Sequence, residues 1–171
     1  MIWVSIIASL ILLFSLIGGL KEGAVKQFFS LIALLIAIPV AGISYHLLAD
    51  LLSFIPGENW ENFLGFFIVF GIVIAILQLA FLLPRRLIQK IWKRGLLYRL
   101  LGSVLSVVNA SIGLVVFALV LFAFPIFDWL GRWVAGSSVM SFLVQIFSFI
   151  QALLPEEFQA ASLQVLAGVL P

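Results

Sequence analysis

The sequence predicts an all-α integral membrane protein with four transmembrane helices, and three observations carry that prediction. Hydrophobic residues make up 65% of the 171-residue chain and charged residues only 9%, against roughly 25% charged in an ordinary soluble domain. A soluble fold of this size cannot hide so much apolar surface, so lipid must act as part of the solvent; the mean hydropathy of +1.34 agrees. Four uncharged runs are each long enough to cross a hydrocarbon core of roughly 30 Å. The charges between those runs are sorted by sign, as the loops of a multi-pass protein are.

The first run covers residues 2–20 and is about 28 Å long as a helix. A cleaved signal would need a basic start and a small-residue cleavage site. Met1-Ile2-Trp3 has no side-chain cation and the run ends in Gly18-Gly19-Leu20-Lys21-Glu22-Gly23, so a retained helix is expected. The second run is 28–45. Pro39 lies within it and clashes with the carbonyl of Leu35, which predicts a kink. The third is 63–83, closed by Pro84, and the fourth is 100–127, long enough to tilt, with Pro125 near its end. None of these runs alternates, and a spanning strand needs only about 9–11 residues, so all four read as helices.

Lys21 and Lys26 lie in the first loop, and Arg85, Arg86, Lys90, Lys93, Arg94 and Arg99 in the third, which places eight of the nine basic residues on one face. The second loop holds Asp50, Glu58 and Glu61 and no cation. Cytoplasmic loops carry the excess of Lys and Arg, so both termini are expected outside the cytoplasm. Residues 85–94 read as a cytoplasmic amphipathic helix, with Leu87, Ile88, Ile91 and Trp92 on one face, Arg86, Lys90, Lys93 and Arg94 on the other, and Gly95 ending it. Two readings fit Arg85, Arg86, Lys90, Lys93 and Arg94: contact with anionic lipid headgroups, or no more than the setting of topology.

After the fourth run, Asp128 and Arg132 stand four apart and can pair, while Trp129 and Trp133 suit an interfacial belt. Ser137 or Ser138 can cap a further helix. In it Val139, Phe142, Leu143, Ile146, Phe149, Ile150 and Leu153 form an apolar stripe opposite Ser138, Ser141, Gln145 and Ser148. The pattern predicts a C-terminal extracytoplasmic amphipathic helix lying on the outer surface or the bundle. Residues 134–154 are also long enough to compete as a fifth span. Pro155-Glu156-Glu157 ends the segment, and 159–170 can add a short surface helix.

Helices in lipid approach one another through small residues. Gly102, Ser106 and Ala110 repeat every four residues with Gly113 near the same face, which makes them the expected helix-packing stripe. Gly19 with Gly23 and Gly71 with Ala75 are lesser pairs.

Little points to chemistry. Without cysteine there are no disulfides, thiolate metal sites or cysteine nucleophiles, and His46 as the one histidine nearly excludes an imidazole metal centre. A net charge of +2 does not suggest nucleic acid. There is no glycine-rich phosphate loop, no pair of intramembrane carboxylates and no nucleophile beside a base. His46 and Asp50, four apart at a span end, can share a face and a proton or a metal, but read first as a solvated interfacial pair. Gln78 and Asn109 can hydrogen-bond between helices. The span centres lack ionisable residues, which argues against a proton-coupled pump or an intramembrane hydrolase. No catalytic, cofactor or metal residues are expected.

The order of these features resembles a known family. A short apolar helix runs into Gly18-Gly19-Leu20-Lys21-Glu22-Gly23, and Ser30-Leu31 follows in the second. A basic loop leads into Arg99-Leu100-Leu101-Gly102, and Ser137-Ser138 and Leu153-Leu154-Pro155 follow the fourth. The chain is similar in these respects to the colicin V production protein (CvpA) family over residues 1–158, leaving 159–171 as a short tail. It departs from the family pattern at Ser106, where glycine is common, and at Asn109, where a basic residue is common. The resemblance implies a multi-pass protein of the bacterial inner membrane, associated with colicin V production or export and with envelope maintenance. The expected function is therefore a non-enzymatic envelope protein acting through lipid, a second copy or another membrane protein. A small homo-oligomeric channel or transporter subunit is the alternative, and a lipid-handling enzyme comes third.

Overall fold

The structure is a computed structural model and describes residues 2–52, 57–91, 95–156 and 158–160. Among them are four helices long and apolar enough to cross a membrane: α1 (Ile2–Glu22), α2 (Ala24–Ala49), α3 (Glu58–Ala80) and α5 (Leu96–Ala123). A 3-10 turn, Asp50–Leu52, prolongs α2, and α4 (Leu82–Ile91) lies between the third and fourth spans.

Helix ends follow local chemistry. Gly23 alone joins α1 to α2, at φ 81° and ψ 167°, a region that essentially only glycine enters. α2 runs unbroken through Pro39. Pro84 does not close the third span as expected. That span ends at Ala80, and Pro84 sits in the first turn of α4, where the missing N–H has no intrahelical partner to lose. The fourth span begins at Leu96 and stops at Ala123 rather than near 127. Phe124, at φ −124° and ψ 83°, leaves the helix, and Pro125 after it favours that extended geometry.

The four spans form a row, not a closed square. α1 packs on α5, α5 on α2 and α2 on α3, while α1 barely meets α2 and α3 barely meets α5. The hairpin at Gly23 opens so that α5 fits between its arms. Connectivity places Lys21, Lys26, Arg85, Arg86, Lys90 and Arg99 at one end of the row, here the basic end, and the N-terminus of α1 at the other.

Beyond α5 the chain forms α6 (Asp128–Ala135), α7 (Ser138–Ile146) and α8 (Phe149–Leu153). Residues 134–154 are thus short helices rather than a fifth span. Ser137 caps α7 by accepting from the Met140 N–H at 3.4 Å, and its hydroxyl is 2.8 Å from that of Ser5 near the start of α1. Asn59 donates to the Pro125 carbonyl at 3.2 Å. The predicted apolar stripe needs correction: Met140, Leu143, Val144 and Ile150 are buried, whereas Phe142, Ile146 and Phe149 are exposed. The break at Phe147–Ser148 resets the helical phase that a single helix would have kept. The core at this end joins Ile38, Ala41 and Tyr45 of α2, Phe66 of α3, Leu119 of α5, and Ile150, Leu154 and Phe158 from the returning segment. Phe158 meets the rings of Tyr45, Phe66 and Phe124 with centroids 5.4–5.8 Å apart. The surface helix expected over 159–170 lies, from 161 onward, outside the described residues.

Candidate functional site

At the basic end the two small-residue pairs of α1 and α5 meet each other. A Cβ built on Gly19 would lie 2.4 Å from the Gly102 carbonyl oxygen and 2.6 Å from the Ser106 Cβ. One built on Gly102 would lie 2.6 Å from the Gly19 oxygen and 2.7 Å from Gly23 Cα. Backbone therefore touches backbone, which van der Waals packing in lipid requires. Gly102 and Ser106 are buried and Ala110 is half-buried. A Cβ on Gly113 or Gly71 would meet nothing within 4 Å, so the seam is confined to the basic half of α5. Tyr98 seals its edge against Ala24 and Val25.

A polar chain runs inward from this end. Lys26 pairs with Glu22, and Gln27 donates to the other Glu22 oxygen at 2.7 Å. Asn109 donates through Nδ2 to the Gln27 carbonyl at 3.0 Å and to Gln27 Oε1 at 2.9 Å. Asn109 Oδ1 is buried without a donor. Reversing the amide would set its oxygen against two acceptors, so this orientation is the better of the two. Sequence reasoning anticipated an interhelical role for Asn109 but missed Gln27. The available signal was a glutamine in the first turn of a helix otherwise apolar up to Pro39, apart from Lys26 and Ser30.

The basic residues are not equivalent. Arg85 is half-buried, lining a notch with Lys26, Ser30, Gln78 and Phe81, whereas Arg86 and Lys90 are exposed. Lys93 and Arg94, with Trp92, lie outside the described residues, as does the side chain of Asp128, so the suggested Asp128–Arg132 pair falls there too. Next to the notch, across Phe29, a groove of about 470 Å³ opens between α2, α4 and α5. Its walls include Val25, Phe28 and Phe29 of α2, Ile88 of α4, and Val104 and Leu105 of α5, and every lining side chain is apolar. α4 rests on α2 and α3, and the groove lies where α4 meets the seam between α2 and α5.

At the other end, Trp129 and Trp133 meet edge to face at 4.9 Å, and the His46 ring lies 3.9 Å from that of Tyr45. A family model described as colicin V production protein matches residues 4–148. No curated protein and no solved structure matches the chain.

Proposed function

The chain belongs to the colicin V production protein family, and from that premise we propose that it is an inner-membrane protein that assists toxin production or export, or maintains the envelope, without catalysis. The family match carries this reading. The packing supports it over a channel through one copy, and the conductance measurement below decides a path between copies. Where a lumen through one copy would open at the far end, the returning segment fills the space with Ile150, Leu154 and Phe158 against Tyr45, Phe66 and Leu119, all at most 3% exposed. The action is then on partners, through the membrane-facing sides of the row and the loops at its two ends.

Deletion of the gene tests the proposal together with reconstitution of the purified protein. Deletion is expected to lower toxin output or survival under envelope stress, with rescue by the intact chain. Liposomes holding the protein should conduct no more than empty ones, with or without membrane tension. Reproducible single-channel currents altered by Asn109→Leu would replace this reading with the channel one.

A further inference from the structure

We propose that the groove between α2, α4 and α5 seats an acyl chain of an anionic phospholipid whose phosphate is held by Arg85. The groove is walled by apolar side chains alone and has a volume of about 470 Å³, within the roughly 300–1,000 Å³ of built ligand sites. It suits a single hydrocarbon chain. The groove opens at the basic end, where the spans finish and a headgroup layer must lie.

The charge pattern selects the headgroup. Arg85 stands one helical turn before Ile88, which lines the groove, and it lines the adjoining notch with Lys26, Ser30 and Gln78 across Phe29. Among the described residues the only ion pair is that of Lys26 with Glu22, so Arg85, Arg86 and Lys90 have no carboxylate within reach there. Arg85 is half-buried and presents a planar fork suited to two phosphate oxygens. Ser30 and Gln78 add hydrogen-bonding groups beside it. A zwitterionic lipid can supply the same chain, but its ammonium meets this surplus of cations unfavourably. The site needs only that the basic end lie at a headgroup layer. It stands or falls independently of the toxin-related reading.

The full chain, purified and stripped of lipid in detergent, is to be mixed with equal phosphatidylglycerol and phosphatidylethanolamine of identical chains and examined by native mass spectrometry. The wild type should retain one phosphatidylglycerol per chain in preference to phosphatidylethanolamine. Val104→Trp fills the groove from a position 61% exposed and should abolish retention of both lipids. Leu101→Trp, at another exposed lining position, serves the same purpose if the first variant does not fold. Arg85→Gln should keep a bound lipid but lose about fivefold of the preference, one cation's share at a membrane surface. The proposal is overturned if the wild type retains both lipids equally. It is also overturned if a folded groove-filling variant still retains phosphatidylglycerol, or if Arg85→Gln keeps the full preference.

Discussion

Gly102 sets how closely α1 and α5 approach. The atoms its Cβ would strike belong to the backbone of Gly19 and Gly23 and cannot rotate away as a side-chain tip can. Gly102→Leu should therefore cost at least the roughly 1–3 kcal/mol of ordinary overpacking, read as a lower unfolding midpoint in detergent. Leu97→Ala, at a position 75% exposed, should change it little, and equal tolerance of both would remove the seam from the account. The four-residue spacing made Gly102 and Ser106 legible in the sequence. Gly113 shares that spacing yet stands in open space, because periodicity reports a face and not how far along it the neighbour stays close. Substitutions at Asn109 and Gln27 should both have small effects. Asn109→Leu removes two hydrogen bonds but also a buried oxygen without a donor, and these effects offset to within about 1 kcal/mol, given interhelical bonds of about 0.6 kcal/mol each. Gln27→Leu removes one bond to Asn109 and one to the exposed Glu22 but leaves Asn109 its bond to the backbone carbonyl at that position, and should also cost no more than about 1 kcal/mol. Titration with a denaturing detergent measures both, and a loss from Asn109→Leu well above about 1 kcal/mol would contradict the unpaired oxygen assigned to its amide.

The returning segment α6–α8 joins far-end parts of α1, α2, α3 and α5. Ser137 reaches Ser5, Pro155 and Leu154 press on Gly42, where a Cβ would meet them at 2.7 and 3.2 Å, and Phe158 closes the aromatic cluster. Phe158→Ala should cost about 3 kcal/mol, as loss of a fully buried ring does. Phe149→Ala, at an exposed ring, should cost much less. Thermal unfolding in detergent measures both, and equal effects would mean that the segment does not dock. The existence of the four spans was legible because length and apolar composition alone decide it. The nature of 134–154 was not, since a continuous span and a broken segment share those properties. The choice falls to the Ser137 cap and the turn at Phe147–Ser148, whose weight depends on α1 and α5 being there to receive Met140, Leu143 and Val144. The order of helices in the row was equally hidden. Lipid-facing and helix-facing positions are both apolar, so hydropathy cannot tell them apart, and only the glycine seam pointed to a specific pair.

In the whole molecule, four spans return the chain to the face it started from, and the contacts of Ser5 with Ser137 and of Asn59 with Pro125 gather the connections there at the end opposite the basic one. The apolar groove, the polar chain and the glycine seam all lie at the basic end, and the aromatic cluster at the other. The central proposal is one of sidedness: that the basic end of this four-span chain lies in the cytoplasm, as the sorting of its charges leads us to expect. Because the chain has no cysteine, single cysteines placed at the exposed positions Asp50, Lys90 and Glu156 report without background. In intact cells a membrane-impermeant maleimide should label Asp50→Cys and Glu156→Cys, and label Lys90→Cys only after the membrane is opened. Labelling of Lys90→Cys in intact cells, or protection of Glu156→Cys while Asp50→Cys is labelled, would contradict the account.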